Sequence, residues 1–218
     1  MLSKSDKAVK IREGQSLKTD SLETYIRNAM ELPKAHMEVL QFPSGYSNLT
    51  YLLKFGKKEL VLRKPPQGVK IKSGHDMGRE FRILSGLHPI YNKVPQPFLF
   101  SDELSIIGSP FYIMERMHGV VFRGHTPKDQ LPDLNQMRKL SEAFVSTLVE
   151  IHSFNYNAAG LENLGRPDGY VKRQIEGWTK RYIKAKTDEF KPLEKVYTWL
   201  NKNIPTEKRS ALIHNDFK

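Results

Sequence analysis

Cysteine is absent from the 218 residues. Its absence excludes disulfides, cysteine-ligated zinc and a thiol nucleophile, and it fits a reducing compartment. Long hydrophobic runs are missing too: no apolar stretch approaches the roughly 20 residues that a membrane span needs. The opening stretch MLSKSDKAVKIREG lacks the apolar core of a signal peptide, so nothing in it sends the chain out of the cytosol, and a cytoplasmic location is expected. There is no internal repeat and no low-complexity segment. What is present, 39% hydrophobic and 27% charged residues, has the balance of a soluble globular chain, long enough for one large domain or two small lobes.

The formal net charge of +11 raises the question of a nucleic-acid partner. The basic residues are scattered, however, as in KFGKKELVLRKPPQGVKIK and YVKRQIEGWTKRYIKAK, where they alternate with apolar positions or occupy the outer faces of helices. A solvated surface is the simplest account and a pocket for a phosphorylated ligand the next. Nucleic acid is disfavoured, and only a steeply salt-dependent affinity for an oligonucleotide would revive it.

Hydrophobic periodicity divides the chain. An amphipathic helix is predicted at residues 20–32, with Leu22, Tyr25, Ile26, Ala29 and Met30 on one face and Asp20 and Glu23 at capping-box spacing. The short runs MEVLQF, NLTYLLKF and ELVLR then read as three antiparallel strands, separated by PSGYS and a GKK turn. HDMGREFRILSGL gives a helix, and PFLFSD and PFYIMERM give two further strands joined by a turn around Ile107–Ser109. The short links rule out parallel crossovers, so residues 37–117 form an α+β lobe, a five-stranded antiparallel sheet with one helix packed on it.

After HGVVFRGH, a linker, the pattern becomes helical. Thr126 and Pro127 suit a cap and first-turn pair. A long helix is predicted at about 134–153, with Leu134, Met137, Leu140, Phe144, Leu148 and Ile151 on its inner stripe, and others near 168–186 and 188–203. Only ALI at 211–213 returns to strand character. The division is thus an N-terminal lobe at 1–117 and a mainly α-helical C-terminal lobe at 118–218.

Chemistry enters at the end of this pattern, in LIHNDFK. Seven His and nine Asp in 218 residues give roughly 0.3 chance occurrences of His-x-Asp, so His214 and Asp216 alone are a weak signal. Their placement strengthens it. They follow an apolar run, after a helical region that itself follows a five-stranded lobe, and this order resembles protein-kinase-like phosphotransferases, whose catalytic loop presents an Asp to the acceptor hydroxyl. On that plan Arg63, leaving the third strand, meets the nucleotide's α/β-phosphates, and Glu80 on the following helix pairs with it. Backbone groups of Glu115 and Met117 meet the adenine edge, in an apolar slot bordered by Met114.

The segments FPSGYSNLTYLL, LVLRKPP, REFRILSGL, VPQPFLFSD, PFYIMERMHGVVF, LVEIHSFN, YVKRQIEGWTKRY and ALIHNDFK occur in one order over residues 40–218. In them the chain resembles the aminoglycoside phosphotransferase/choline kinase superfamily, and most of all the kinase-like region related to the N-termini of certain acyl-CoA dehydrogenase family members. The resemblance implies a protein-kinase-like fold and an ATP- and Mg2+-dependent kinase acting on a hydroxyl of a small molecule, with no membrane partner. It implies Arg63 as the phosphate-binding cation, Glu80 as its helix partner, and Ser47 and Asn48 in the nucleotide-covering loop. Asp216 is then the catalytic Asp, with His214 buttressing its loop.

Departures from the pattern carry information. PSGYSN has one glycine where a protein kinase has three, so fewer free amides meet the phosphates, and Ser47 is a candidate helper. His-Asn-Asp stands where protein kinases have His-Arg-Asp, so activation-loop phosphorylation has no cation to pull on and a small substrate is favoured. The metal-binding Asn of the motif would fall five residues after Asp216 and a second metal-binding Asp about twenty further on. Both lie past residue 218, which implies part of a longer protein with an incomplete, truncated helical lobe. A nucleotide-binding pseudokinase or regulatory module of a larger multidomain protein is the alternative.

Plainer roles compete for several residues. Arg63 could be a surface cation, and Lys64, on the opposite face by strand alternation, is its rival. Glu80 could be one more exposed helix charge and Met114 plain core. His152 ends a helix and suits packing or capping better than catalysis. His75, His88, His118 and His125 show no metal-ligand spacing. YVKRQIEGWTKRY could touch substrate or simply be an amphipathic helix with solvated cations.

Overall fold

Alternating apolar residues in five short runs build the sheet that organises the first part of the molecule. The computed structural model describes residues 7–43, 48–66, 68, 75–122, 126, 128 and 131–217. It contains α1 (Thr19–Ala29), β1 (Met37–Gln41), β2 (Leu49–Phe55), β3 (Lys58–Lys64), α2 (Met77–Leu87), β4 (Pro97–Ser101), α3 (Leu104–Ile107), β5 (Phe111–Glu115), α4 (Leu134–Ser153), α5 (Tyr170–Ala185) and α6 (Lys191–Lys202). They fall into two compact units, Met1–Leu140 and Ser141–Lys218.

In the first unit the strands pair antiparallel throughout, in the spatial order β1-β2-β3-β5-β4. Gly56, at φ +63°, turns β2 into β3 in a left-handed conformation that glycine adopts without a Cβ penalty. One sheet face carries Tyr51, Leu53, Phe55, Leu60, Leu62, Phe111 and Ile113, which pack with Leu22 and Ile26 of α1 and with Ile106 and Ile107 of α3. Burying a side chain such as Leu22 stabilises by about 1.5–3 kcal/mol relative to leaving it in water. The opposite face, with Leu52, Val61 and Tyr112, receives α2 through Met77, Leu87 and Phe81, whose ring lies 6.4 Å from that of Tyr112. The sheet is therefore covered on both sides. α2 takes one face, while α1 and a one-turn helix, α3, unforeseen in the sequence, take the other.

The five strands and the long helices fall where the periodicity puts them, but three local expectations fail. Asp20 and Glu23 form no capping box on α1, whose start has no side-chain cap. Glu23 instead accepts from Arg27 at 2.7 Å and from the Met37 amide at 3.3 Å, so its carboxylate ties the helix to β1 rather than closing its own first turn. The link from β4 to β5 is not a bare turn: α3 precedes it and ends on Gly108 at φ +78°. Ala211–Ile213 forms no strand. An isolated apolar triplet gains strand structure only from a ladder partner, and none is present among the described residues. Of the expected Thr126–Pro127 cap, Pro127 lies outside the described residues.

The N-terminal segment supplies polar closure. Val9 and Gln41 exchange two backbone hydrogen bonds of 2.8 Å, extending the sheet edge. The buried Gln41 side chain accepts from the Arg12 amide at 3.0 Å and donates to Gln15, whose carbonyl accepts from the Tyr51 hydroxyl at 2.7 Å. Burial pushes the Tyr51 pKa up to about 12.

In the second unit α5 packs on α6, and Glu207 closes the N-terminus of α5, accepting from the amides of Gly169 at 2.8 Å and Val171 at 3.0 Å. The stripe expected to be the inner face of α4, whose residues up to Leu140 belong to the first unit, is solvent-accessible in large part, at Leu134, Met137, Leu140 and Phe144, and the Phe217 ring lies tilted by 44° beside that of Phe144 with centroids 4.5 Å apart. No helix among the described residues is long and apolar enough to cross a membrane.

Candidate functional site

Strand alternation decides which cation of Arg63-Lys64 can meet α2. Arg63 lies opposite Thr50 on β2 and Tyr112 on β5, on the face that α2 covers. Asp76 caps α2 through the Arg79 amide at 2.8 Å, so Glu80 stands in the first turn, where the helix dipole favours a carboxylate. The Arg63 Nε and Glu80 Oε2 are 3.5 Å apart. Lys64 points to the other face and is only 8% exposed. It has no ionic partner among the described residues, and burial lowers its pKa.

Two further side chains bond the Glu80 carboxylate, and a third holds one of them. Tyr112 donates its hydroxyl to Oε2 at 2.9 Å and Asn48 donates its amide to Oε1 at 2.9 Å. The Asn48 carbonyl oxygen lies 2.9 Å from His75 Nδ1. Burial, with Glu80 adding to it and Arg63 opposing it, holds the Tyr112 phenol far above its usual pKa, so it stays a donor. Each Glu80 oxygen thus accepts one side-chain hydrogen bond. Arg63 is not saturated with acceptors: its Nε is buried without a hydrogen bond, and its two terminal nitrogens donate to no described residue. The 3.5 Å separation is that of an ion pair, longer than the about 2.7–2.9 Å of a charge-assisted hydrogen bond. A guanidinium held from behind by a carboxylate, with its fork open, suits a bidentate anion such as phosphate.

The remaining expected residues divide between the two units. In the first, Met114 is half-buried opposite Val61, on the same sheet face as Arg63. Glu115 commits its amide to the Gln96 carbonyl at 2.8 Å and its carboxylate to the Gln96 amide at 3.1 Å. The Met117 carbonyl accepts from Arg116 at 2.8 Å, while its amide donates to no described residue. Asn48 is buried, its amide turned to Glu80 and His75. Ser47 lies outside the described residues. In the second unit the Asp216 amide donates to His214 Nδ1 at 3.3 Å, which leaves the imidazole proton on Nε2. The His214 ring meets Phe217 edge-on at 5.5 Å. Among the described residues no cluster of His, Asp and Glu suited to a metal ion is formed.

Tyr112 and His75 are members of this cluster that sequence reasoning missed. Tyr112 reaches Glu80 only because β5, not β4, adjoins β3, a strand order that chain order does not reveal. His75 has only its position before α2 as a signal.

The sequence matches the phosphotransferase enzyme family over residues 38–218. It is 34% identical over 211 residues to acyl-CoA dehydrogenase family member 10 of Mus musculus, covering 95% of this chain and 19% of that protein. It is 35% identical over 205 residues to acyl-CoA dehydrogenase family member 11 of Homo sapiens, covering 91% of this chain and 26% of that protein. The chain therefore spans about a fifth to a quarter of the length of these relatives. A crystal structure from Ralstonia eutropha JMP134, provisionally named an aminoglycoside phosphotransferase, superposes with a TM-score of 0.74 at 28% identity, over 88% of this chain and 55% of that one. With its five-stranded antiparallel sheet, its helices and this match over 38–218, the chain belongs to the phosphotransferase enzyme family and has its kinase-like α+β fold.

Proposed function

We propose that the chain carries the phosphoryl-transfer machinery of an ATP-dependent kinase that acts on a hydroxyl of a small molecule. The observation that carries this is the Arg63–Glu80 pair, with its carboxylate anchored at both oxygens and its guanidinium fork open. Arg63 grips the nucleotide phosphates and Glu80 keeps it aimed. Met114 borders the adenine, and the free amide of Met117 donates to the base edge. Asp216 accepts the proton of the acceptor hydroxyl as that oxygen bonds to the γ-phosphorus and the bond to the β-phosphate oxygen breaks. His214, holding the Asp216 amide, keeps the loop in shape. Magnesium is the phosphates' counter-ion in such reactions.

The test is a phosphoryl-acceptor screen on the complete protein with ATP and magnesium, using small alcohols of several classes and ATP consumption as readout. Transfer to at least one acceptor is the expected result. Absence of both turnover and nucleotide binding would sink the proposal. The size and names of the acyl-CoA dehydrogenase relatives favour a second reading, a nucleotide-binding regulatory module within a larger protein. Nucleotide binding without turnover on any acceptor would select it.

A further inference from the structure

We propose that Asn48 acts on the nucleotide site only through Glu80, as a positioning residue locked by His75, and does not itself contact the nucleotide. This rests on the assignment of Arg63 and Glu80 to phosphate binding. A carboxylate can only accept, so the Asn48 group 2.9 Å from Glu80 Oε1 is its amide nitrogen. The carbonyl oxygen then faces His75 at 2.9 Å, and His75 must donate, which fixes its proton on Nδ1. One chain of donors runs from His75, two residues ahead of α2, through Asn48, just ahead of β2, into the first turn of α2. Each step is fixed in direction by the acceptor-only carboxylate at its end.

The burial supports the same conclusion. Asn48 is 4% exposed, and its oxygen and one amide hydrogen are already used. Glu80 Oε1 has no other donor among the described side chains, whereas Oε2 is shared by Tyr112 and Arg63. Without Asn48 the carboxylate can rotate away from Oε1's present position and take the Arg63 ion pair with it. Asn48 and His75 thus couple the start of β2 to the start of α2, and Arg63 is aimed only while both are in place.

The test is a sign reversal. Asn48→Asp keeps the shape but sets a second carboxylate against Glu80, and it should weaken binding of a fluorescent ATP analogue by about tenfold, a typical coupling for residues in contact. In a Glu80→Gln background the same Asn48→Asp change gives the new Gln amide an acceptor, so there it should strengthen binding relative to Glu80→Gln alone. A direct contact between Asn48 and the nucleotide phosphates would make Asn48→Asp harmful in both backgrounds, and that outcome overturns the proposal. The same four proteins are also unfolded thermally without nucleotide. Coupling between the two positions there supports the strut, and additivity overturns it. If the unsubstituted protein binds no nucleotide, the phosphate-binding assignment fails by itself, while the unfolding cycle still decides whether Asn48 holds Glu80.

Discussion

Adjacent cations in one strand have opposite fates, and this gives a clean test of which matters. Arg63 is partly exposed beside Glu80, whereas Lys64 is buried on the far face with its charge disfavoured by desolvation. Arg63→Met should weaken nucleotide binding by about 10- to 100-fold, the loss of one or two hydrogen bonds to a charged group. Lys64→Met should leave it unchanged, as titration with a nucleotide analogue would show. It should also raise the unfolding midpoint, because an unpaired buried ammonium carries a desolvation cost that a methionine side chain does not. The pH dependence has a definite sign. A lysine whose folded pKa is lowered holds fewer protons folded than unfolded, so stability should rise with pH through the folded pKa and level off near 10.5. Lys64→Met should flatten that rise, and a flat profile in the unsubstituted protein would disprove the burial argument.

At the scale of elements, what the sequence made legible was what depends on near neighbours. The strands show as alternation, α2 shows as helical spacing, and the order of strand cation and helix acid pointed to the Arg63–Glu80 pair. What depends on distant partners stayed hidden. Glu23 had the spacing of a cap yet serves Met37 across 14 positions, and Asn48 and Tyr112 each reach Glu80 across 32. Ala211–Ile213 read as a strand because three apolar residues carry no information about whether a ladder partner exists. Glu207 is the same kind of case in the second unit, a carboxylate that closes α5 from 36 and 38 residues away. Hydrogen bonds from the Val171 and Gly169 amides hold its pKa below the usual carboxylate value of 4.5. A depressed folded pKa means that its contribution is present above the unfolded value and is lost as pH falls through the folded one. Glu207→Gln should therefore lower the helical unfolding midpoint at pH 7 and change it little near pH 3, measured by far-ultraviolet circular dichroism. An equal loss at both values would show that the charge does not matter there.

For the whole molecule, the residues assigned to nucleotide and to proton transfer belong to different compact units. Arg63, Glu80 and Met114 lie within Met1–Leu140, and His214 and Asp216 within Ser141–Lys218. The two groups are therefore tested by separate substitutions. If the first binds and the second takes the proton, their kinetic signatures must differ. Asp216→Asn removes the proton acceptor but keeps shape and backbone, so kcat should fall by about 100- to 10,000-fold, the usual contribution of general-base catalysis. The dissociation constant for ATP should stay within about twofold. Arg63→Met should do the reverse, raising KM for ATP more than it lowers kcat, because a cation that grips the phosphates before and during transfer contributes mostly uniform binding. Steady-state kinetics of both variants in the complete protein, with any acceptor found in the screen, decide the matter. Should Asp216→Asn weaken ATP binding as much as Arg63→Met while leaving kcat intact, the assignment of proton transfer to the His214–Asp216 loop would be wrong.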